Sequence, residues 1–569
     1  MGAATHSIVA IVWRIEPVSV ETILIFVLAA VAVVVLVRWV AERTSLPAAA
    51  LLPIVGIVYA VLPGPNISLD PKIILTFVIP PLLYSAALDS SLLAIRRNLR
   101  IVVSLSVVLV LITALVIGIG FQWFVAGATL AAGIAVGAAI APPDPVAALG
   151  VGRKVGLPPR LLTIIQGEGL LNDATALTIL SVAVAAAVGD GFSWGSAIGK
   201  FALAAAGGVL VGVVVAYVVR LLRKLRDDPL TANAISLVTP FGAYLAAEEL
   251  HVSGVLAVVV AGLIIGHYAP LTGSGASRLQ TTAVWRLVDF LLEGFVFLLI
   301  GQQLPRVVRG LEDYELSTIL AAVSISVGVA LLLRPVWLIL TQFLPRSLHT
   351  RLISDDTDTD EQRVVAQRHR IGLPGREVVA LSWAGTRGVI SLAAIFALPL
   401  TTDSGAPFPD RDLLLFCTFV VVLVTLVGQG LTFAPLVRAL GLRANRSDQA
   451  MLRNEARSAS VEAALERLSE VAAEGDPEEV RAIEATRGQL KARLARYQGR
   501  IDLLRESDSE DVPVSPGYEA GLRVRRAAID AQREELLRWR DAGRLPDEGL
   551  RVLQRELDHE ERLLPDRPR

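Results

Sequence analysis

Long apolar runs recur from the start of the chain to about residue 437, each near the length needed to cross a bilayer, and few folds accommodate that many. In hydrocarbon every backbone polar group must be satisfied internally, so such a chain spans as helices. Windows of about 20 apolar residues place spans near 20–40, 46–62, 72–94, 101–125, 127–150, 159–188, 194–219, 231–249, 253–269, 280–303, 316–343, 376–400 and 411–437, thirteen in all. The charges divide along the same line. Residues 442–569 hold 24 Lys/Arg and 27 Asp/Glu, 40% of positions, whereas the first 441 residues are 13% charged. The expected organisation is an all-α polytopic membrane domain over 1–441, followed by a charged helical tail over 442–569.

Loop charges set the orientation. One set of alternate loops carries 21 basic residues, among them Arg38, Arg43, Arg96, Arg97, Arg100, Arg223, Arg278 and Arg286, and the opposite set carries six. The first set is expected to be cytoplasmic, with the N-terminus outside and the tail inside. No cleavable signal peptide is evident in the first 19 residues. A net charge of −1 gives no support to nucleic-acid binding. The single cysteine, Cys417, permits no internal disulfide, and the scattered histidines form no metal cluster. Neither a P-loop nor a nucleophile elbow is present, so no enzyme and no cofactor is expected. The tail reads as a dimer-stabilising appendage or a regulatory sensor. The acidic stretch 354–361 reads as a solvated loop, and Asn66-Ile67-Ser68 as a weak glycosylation match.

Ionisable side chains inside spans cost several kcal/mol at the bilayer centre, so they mark a pathway or a pair. The fifth span places Pro142, Pro143 and Pro145 around Asp144, and three prolines in four residues cannot continue a regular helix. A break near mid-membrane follows, of the kind that supplies cation sites in transporters. The sixth span carries Glu168, Asn172 and Asp173. Glu168 and Asn172 are four apart and share a face, where they are expected to join one hydrogen-bonded network. Asp173 is turned away, with Gly169 on its own face, and is the acid most available to an ion. Arg387, between Gly385 and Gly388 in the twelfth span, needs a countercharge. Glu168 is the preferred partner because it leaves Asp173 uncompensated; pairing with Asp144 or Asp173 is the alternative. Asp289, Glu293, Arg334 and Glu377 read as packing or interfacial residues, and Gly133-xxx-Gly137 and Gly208-xxx-Gly212 as helix contacts.

These residues fall into ordered motifs: Asp144-Pro145-Val146-Ala147, Glu168-Gly169-Leu170-Leu171-Asn172-Asp173-Ala174 and Trp383-Ala384-Gly385-Thr386-Arg387-Gly388, flanked by Pro80-Pro81-Leu82-Leu83-Tyr84 and Phe297-Leu298-Leu299-Ile300-Gly301. With them the chain resembles the monovalent cation:proton antiporter superfamily, in the sodium/proton exchanger branch of bacterial NhaP-type and animal NHE-type proteins, over roughly residues 20–440. The resemblance implies thirteen spans in two six-helix inverted repeats, with the fifth and twelfth unwound and crossing. It implies a plasma-membrane homodimer exchanging Na⁺ or K⁺ for protons by alternating access. Asp173 would carry cation or proton, Asp144 would assist, and Glu168, Asn172 and Arg387 would form the supporting network. An Asn-Asp pair is associated with electroneutral exchange. Many relatives have Ser at the position of Gly169 and many bacterial ones Thr at that of Pro143. The missing oxygen at Gly169 implies a thinner ion shell that admits potassium, with the Pro143 carbonyl as a candidate ligand. An ordinary carboxylate has a pKa of about 4 and would rarely bind a proton at neutral pH, so the mechanism depends on partial desolvation of Asp173. A channel and a tail-signalling sensor are the alternatives from other classes.

Overall fold

A computed structural model describes residues 20–44, 48–61, 74–188, 194–225, 228–271, 275–343, 375–403, 405–444, 446–474, 477–506 and 516–562. The tripeptide 66–68 and the acidic stretch 354–361 lie outside them. The chain divides into two units, residues 1–443 and 444–569.

The first unit is built of helices. These are α1 (Val20–Thr44), α2 (Ala48–Val61), α3 (Ile79–Leu88), the short α4 (Leu92–Arg97), α5 (Leu99–Phe124), α6 (Leu130–Ile140), α7 (Pro145–Val155) and α8 (Pro159–Val188). They continue as α9 (Trp194–Leu225), α10 (Pro229–Glu249), α11 (Gly254–Tyr268), α12 (Gly275–Arg309), α13 (Leu316–Phe343), α14 (Gly375–Trp383), α15 (Val389–Phe396) and α16 (Arg411–Ala439). Within the described residues, every apolar window read from the sequence holds one helix or parts of two. Among the described residues, seven helical stretches are long and apolar enough to cross a membrane whole. Among the described residues the only β pairing is an isolated bridge between Thr401 and Pro407.

Packing follows residue size. Added side chains at Gly133 and Gly137 of α6 would strike Gly118 and the Ala114 backbone of α5, and those at Gly208 and Gly212 of α9 would strike the Ser253 and Ala257 carbonyls. Both glycine pairs thus serve as close helix contacts. In the other direction, Leu203, Leu210 and Tyr217 of α9 and Leu332 and Val336 of α13 stand exposed, an apolar surface suited to lipid.

Two breaks interrupt the regular helices, over 141–144 between α6 and α7 and over 384–388 between α14 and α15. They meet. The Asp144 amide donates to the Thr386 carbonyl (2.6 Å), and Thr386 Oγ1 donates back to the Asp144 carbonyl (2.9 Å). Two unwound segments therefore satisfy each other's backbone groups where water is not available to do so. The twelfth span carries no proline at its break; glycines 385 and 388 allow the close approach instead.

The second unit consists of α17 (Arg446–Glu474), α18 (Pro477–Glu506), α19 (Pro516–Asp541) and α20 (Asp547–Arg562). Here α17 packs on α18 and α19 on α20. Arg505 of α18 reaches Glu455 of α17, and Arg533 of α19 holds both Asp558 and Glu561 of α20.

Candidate functional site at the helix crossing

Asp144 caps the second half of its own broken span. Its Oδ1 accepts from the Val146 amide (2.9 Å) at the start of α7, and its carboxyl lies directly over Gly388, the N-cap of α15. A Cβ at Gly388 would occupy the space of the Asp144 carboxylate, which is why glycine stands there. One carboxylate is thus set against two helix N-termini, whose amide dipoles favour negative charge.

Arg387 does the opposite task. Its Nε donates to the Ile140 carbonyl (2.6 Å), the last residue of α6; its guanidinium also donates to the Gly385 carbonyl, and more distantly to that of Ala330 (3.5 Å). Its own amide donates to Thr425 Oγ1 (2.9 Å) in a π-helical stretch of α16, Val424–Gln429. The Ile140 carbonyl at the fifth-span break and the Gly385 carbonyl at the twelfth-span break thereby share one cation.

The expected Arg387–Glu168 pair is absent, and the ion pair of Glu168 is made by Arg334 of α13. Both Arg334 end nitrogens bond the two Glu168 carboxylate oxygens, NH1 to Oε1 and NH2 to Oε2 (2.8 Å), while Nε donates to the Leu381 carbonyl (2.8 Å). Both residues are buried. Arg334 had read as interfacial because it lies late in an apolar span; only its depth in the packed bundle reveals it as a partner. The reason the spacing pointed elsewhere is that two buried arginines and one buried glutamate leave the pairing to tertiary distances.

The single network expected of Glu168 and Asn172 also separates. Asn172 Nδ2 donates to the Pro143 carbonyl (2.8 Å), tying α8 to the break, while Glu168 faces Arg334. The Asn172 Oδ1 is buried without a partner, and the Pro143 carbonyl keeps a second lone pair. Asp173, 5% exposed, has no hydrogen-bond or ion-pair partner among the described residues and stands in the field of Asp144. Gly169, one turn before it, faces the ring of Pro145, which an added Cβ would strike. The glycine is therefore dictated by packing against the proline that restarts α7.

The gathered groups are two carboxylates, a free amide oxygen and peptide carbonyls, all hard oxygen donors suited to a small cation, with one carboxylate left unpaired in a buried place. Sequence comparison agrees with this chemistry. Residues 26–439 match the sodium/hydrogen exchanger transmembrane family, and the chain belongs to it. It is 33% identical to an uncharacterized Na⁺/H⁺ exchanger of Mycobacterium tuberculosis, over 95% of both chains. It is 30% identical to a Na⁺/H⁺ antiporter of Aphanothece halophytica, over 82% of this chain and 85% of that one. A Bacillus subtilis relative described as a sodium, potassium, lithium and rubidium/H⁺ antiporter is 31% identical over 65% of this chain and 55% of its own. In fold the chain is similar to the sodium proton antiporter of Methanocaldococcus jannaschii (TM-score 0.56, 18% identity, covering 73% of this chain and 97% of that one).

Proposed function

We propose that this protein exchanges a monovalent cation for protons across the plasma membrane, with Asp173 carrying either one in turn and Asp144 assisting. The observation that carries the assignment is the isolation of Asp173: it is buried, it lies beside the crossing of two broken helices, and every other acid there is engaged. Asp144 caps α7 and Glu168 is neutralised by Arg334. Cation and proton compete for the Asp173 carboxylate, so the carrier crosses loaded with one or the other, and exchange follows from that competition.

Charge bookkeeping supports one-for-one stoichiometry. Arg334 and Glu168 cancel, and Arg387 offsets one of the two aspartates, so the crossing is neutral once a single monovalent ion or proton is bound. Asn172 and the Pro143 carbonyl supply neutral oxygens. With Gly169 adding no hydroxyl, the shell suits both sodium and potassium, as the broad cation range in the name of the Bacillus relative encourages. The protein works as a homodimer by alternating access, with its basic loops and its tail in the cytoplasm and the tail modulating transport.

The test is the pH change in proton-loaded liposomes when sodium, then potassium, is added outside. Wild type collapses the gradient and Asp173→Asn, folded and dimeric, does not. Retained exchange in Asp173→Asn rejects the carboxylate's role; ionic current without proton coupling rejects antiport in favour of a channel.

A further inference from the structure

The hairpin of α17 and α18 segregates its charge by flank. On α17, Arg453 and Arg457 lie one turn apart on one side, and Glu455, Glu462 and Glu466 recur at helical spacing on the other. On α18, Arg493, Arg496 and Arg500 share a side in the same way. Contacts across the hairpin show how the sides line up. Arg457 lies over the Tyr497 ring (5.7 Å), between Arg496 and Arg500 in the chain, whereas Arg505 reaches Glu455 (3.7 Å) on the acidic side. Arg487 meets Ser469 (3.2 Å) on that acidic side as well. The five arginines therefore form one basic flank.

No acid interrupts it: Ser460 and Ala464 of α17 and Gln489 of α18, which share the flank by spacing, are uncharged. Among the described residues none of the five guanidiniums makes an ion pair. Arg453 and Arg496 turn Nε back to carbonyls of their own helices, those of Gln449 (3.1 Å) and Ala492 (3.3 Å), and Arg500 NH1 is buried without a partner. Arg453, Arg457, Arg493 and Arg496 are exposed, so no described segment covers them. Like charges one turn apart weaken a helix, and the arrangement is unfavourable until an anionic surface meets it.

A second copy related by a two-fold axis does not supply that surface, because an isologous contact would set basic flank against basic flank. The acidic helix α20 already gives Asp558 and Glu561 to Arg533 of α19. Lipid remains. Only residues 440–445 separate α17 from the last span, on the side that the loop charges place in the cytoplasm, where the leaflet carries anionic headgroups. Such a leaflet attracts charge only within about 8 Å at physiological ionic strength. Arg493 stands about 20 Å along α18 from its end at Glu506, so a hairpin on its end would leave it out of range.

We propose that the flank of Arg453, Arg457, Arg493, Arg496 and Arg500 docks the hairpin sideways on the anionic phospholipid headgroups of the cytoplasmic leaflet. Guanidiniums from two helices bond phosphate oxygens together, and the acidic flank faces away from the bilayer. The docking stands apart from the exchange proposed above, and either can fail without the other.

The experiment uses full-length protein in nanodiscs of phosphatidylcholine, with or without phosphatidylglycerol, and a trace of lipid carrying an acceptor dye on its headgroup. A donor dye is attached through Ser460→Cys, an exposed position on the basic flank; the native cysteine, Cys417, is buried. Energy transfer to the bilayer is expected to rise with phosphatidylglycerol and to fall back in high salt. Each arginine at an anionic surface multiplies partitioning about fivefold, so Arg453→Gln with Arg496→Gln should cut the docked-to-free ratio roughly 25-fold. Arg453→Lys with Arg496→Lys keeps the ratio near wild type, and Glu462→Gln on the opposite flank leaves it unchanged. If the glutamine pair does not fold, the lipid and salt titrations of the otherwise wild-type protein decide the matter alone. Transfer that ignores phosphatidylglycerol, or that rises equally in the folded glutamine variant, overturns the docking. Transfer that ignores lipid charge while polyglutamate raises the donor's anisotropy also overturns it, and gives the flank to an acidic protein.

Discussion

The helix crossing and the tail use the same chemical pairs in opposite surroundings. At the crossing, Arg334 and Glu168 bond end to end with side chains only 3% and 2% exposed, and the Arg334 Nε is spent on a backbone carbonyl. In the tail, Arg467 and Glu470 face each other on α17 with side chains 75% and 58% exposed. Water already solvates the tail pair, so its net contribution is small, whereas the crossing pair exists because each charge would be intolerable alone. Charge is a surface property in one unit and a structural obligation in the other.

The largest effect that could break this contrast is the loss of one buried partner. Arg334→Ala leaves Glu168 uncompensated and is expected to cost about 3–5 kcal/mol, read as lost membrane abundance and a lowered thermal midpoint in detergent. Replacing both partners, as Arg334→Met with Glu168→Leu, should recover most of that stability because no orphan charge remains. A single mutant as stable as wild type would mean that water reaches the pair.

Glycine gives a contrast of sign. Gly388→Ala pushes a methyl group into the Asp144 carboxylate and should cost about 1–3 kcal/mol together with exchange activity. Gly488→Ala, on an exposed turn of α18 with open space around it, should stabilise by about 0.5–1 kcal/mol through helix propensity. Gly169→Ser belongs with the first: the hydroxyl carried by many relatives cannot be added without moving the Pro145 ring, so exchange should fall rather than gain sodium selectivity. Improved selectivity with intact stability would show that the ring yields.

The smallest effect sharpens the comparison from the tail side. Arg533 bonds Asp558 and Glu561 and joins α19 to α20, with its side chain 28% exposed. Arg533→Ala should cost only about 0–1 kcal/mol and that difference should shrink in high salt, measured by thermal unfolding of the full-length protein. A loss as large as that of Arg334→Ala would place the α19–α20 ion pairs among the buried networks.

Much of this was legible in the residue order. Pro142, Pro143 and Pro145 require the break in the fifth span, since a helix cannot carry three missing amides in four positions. The isolated position of Asp173 also followed from spacing, because it is turned away from Glu168 and Asn172 on the same helix. Arg387 was recognised as buried and in need of partners, but its partners are peptide carbonyls of Ile140 at the end of α6, of Gly385 in its own break and of Ala330 in α13, and no side-chain pattern records those. Asp289 read as a packing residue for a related reason: the cavity it lines is walled by residues of α3, α9, α10, α11 and α12, which only tertiary packing brings together.

Local chemistry by itself determined the helical character, the places of the breaks and the inventory of charges that lipid forbids, because these depend on transfer free energy and on backbone donors counted residue by residue. Only the tertiary structure decided which arginine answers Glu168, that Gly169 makes room for Pro145, and that Gly388 makes room for Asp144. Those choices depend on distances of a few ångströms between segments up to 247 residues apart in the chain, set by how the whole bundle packs.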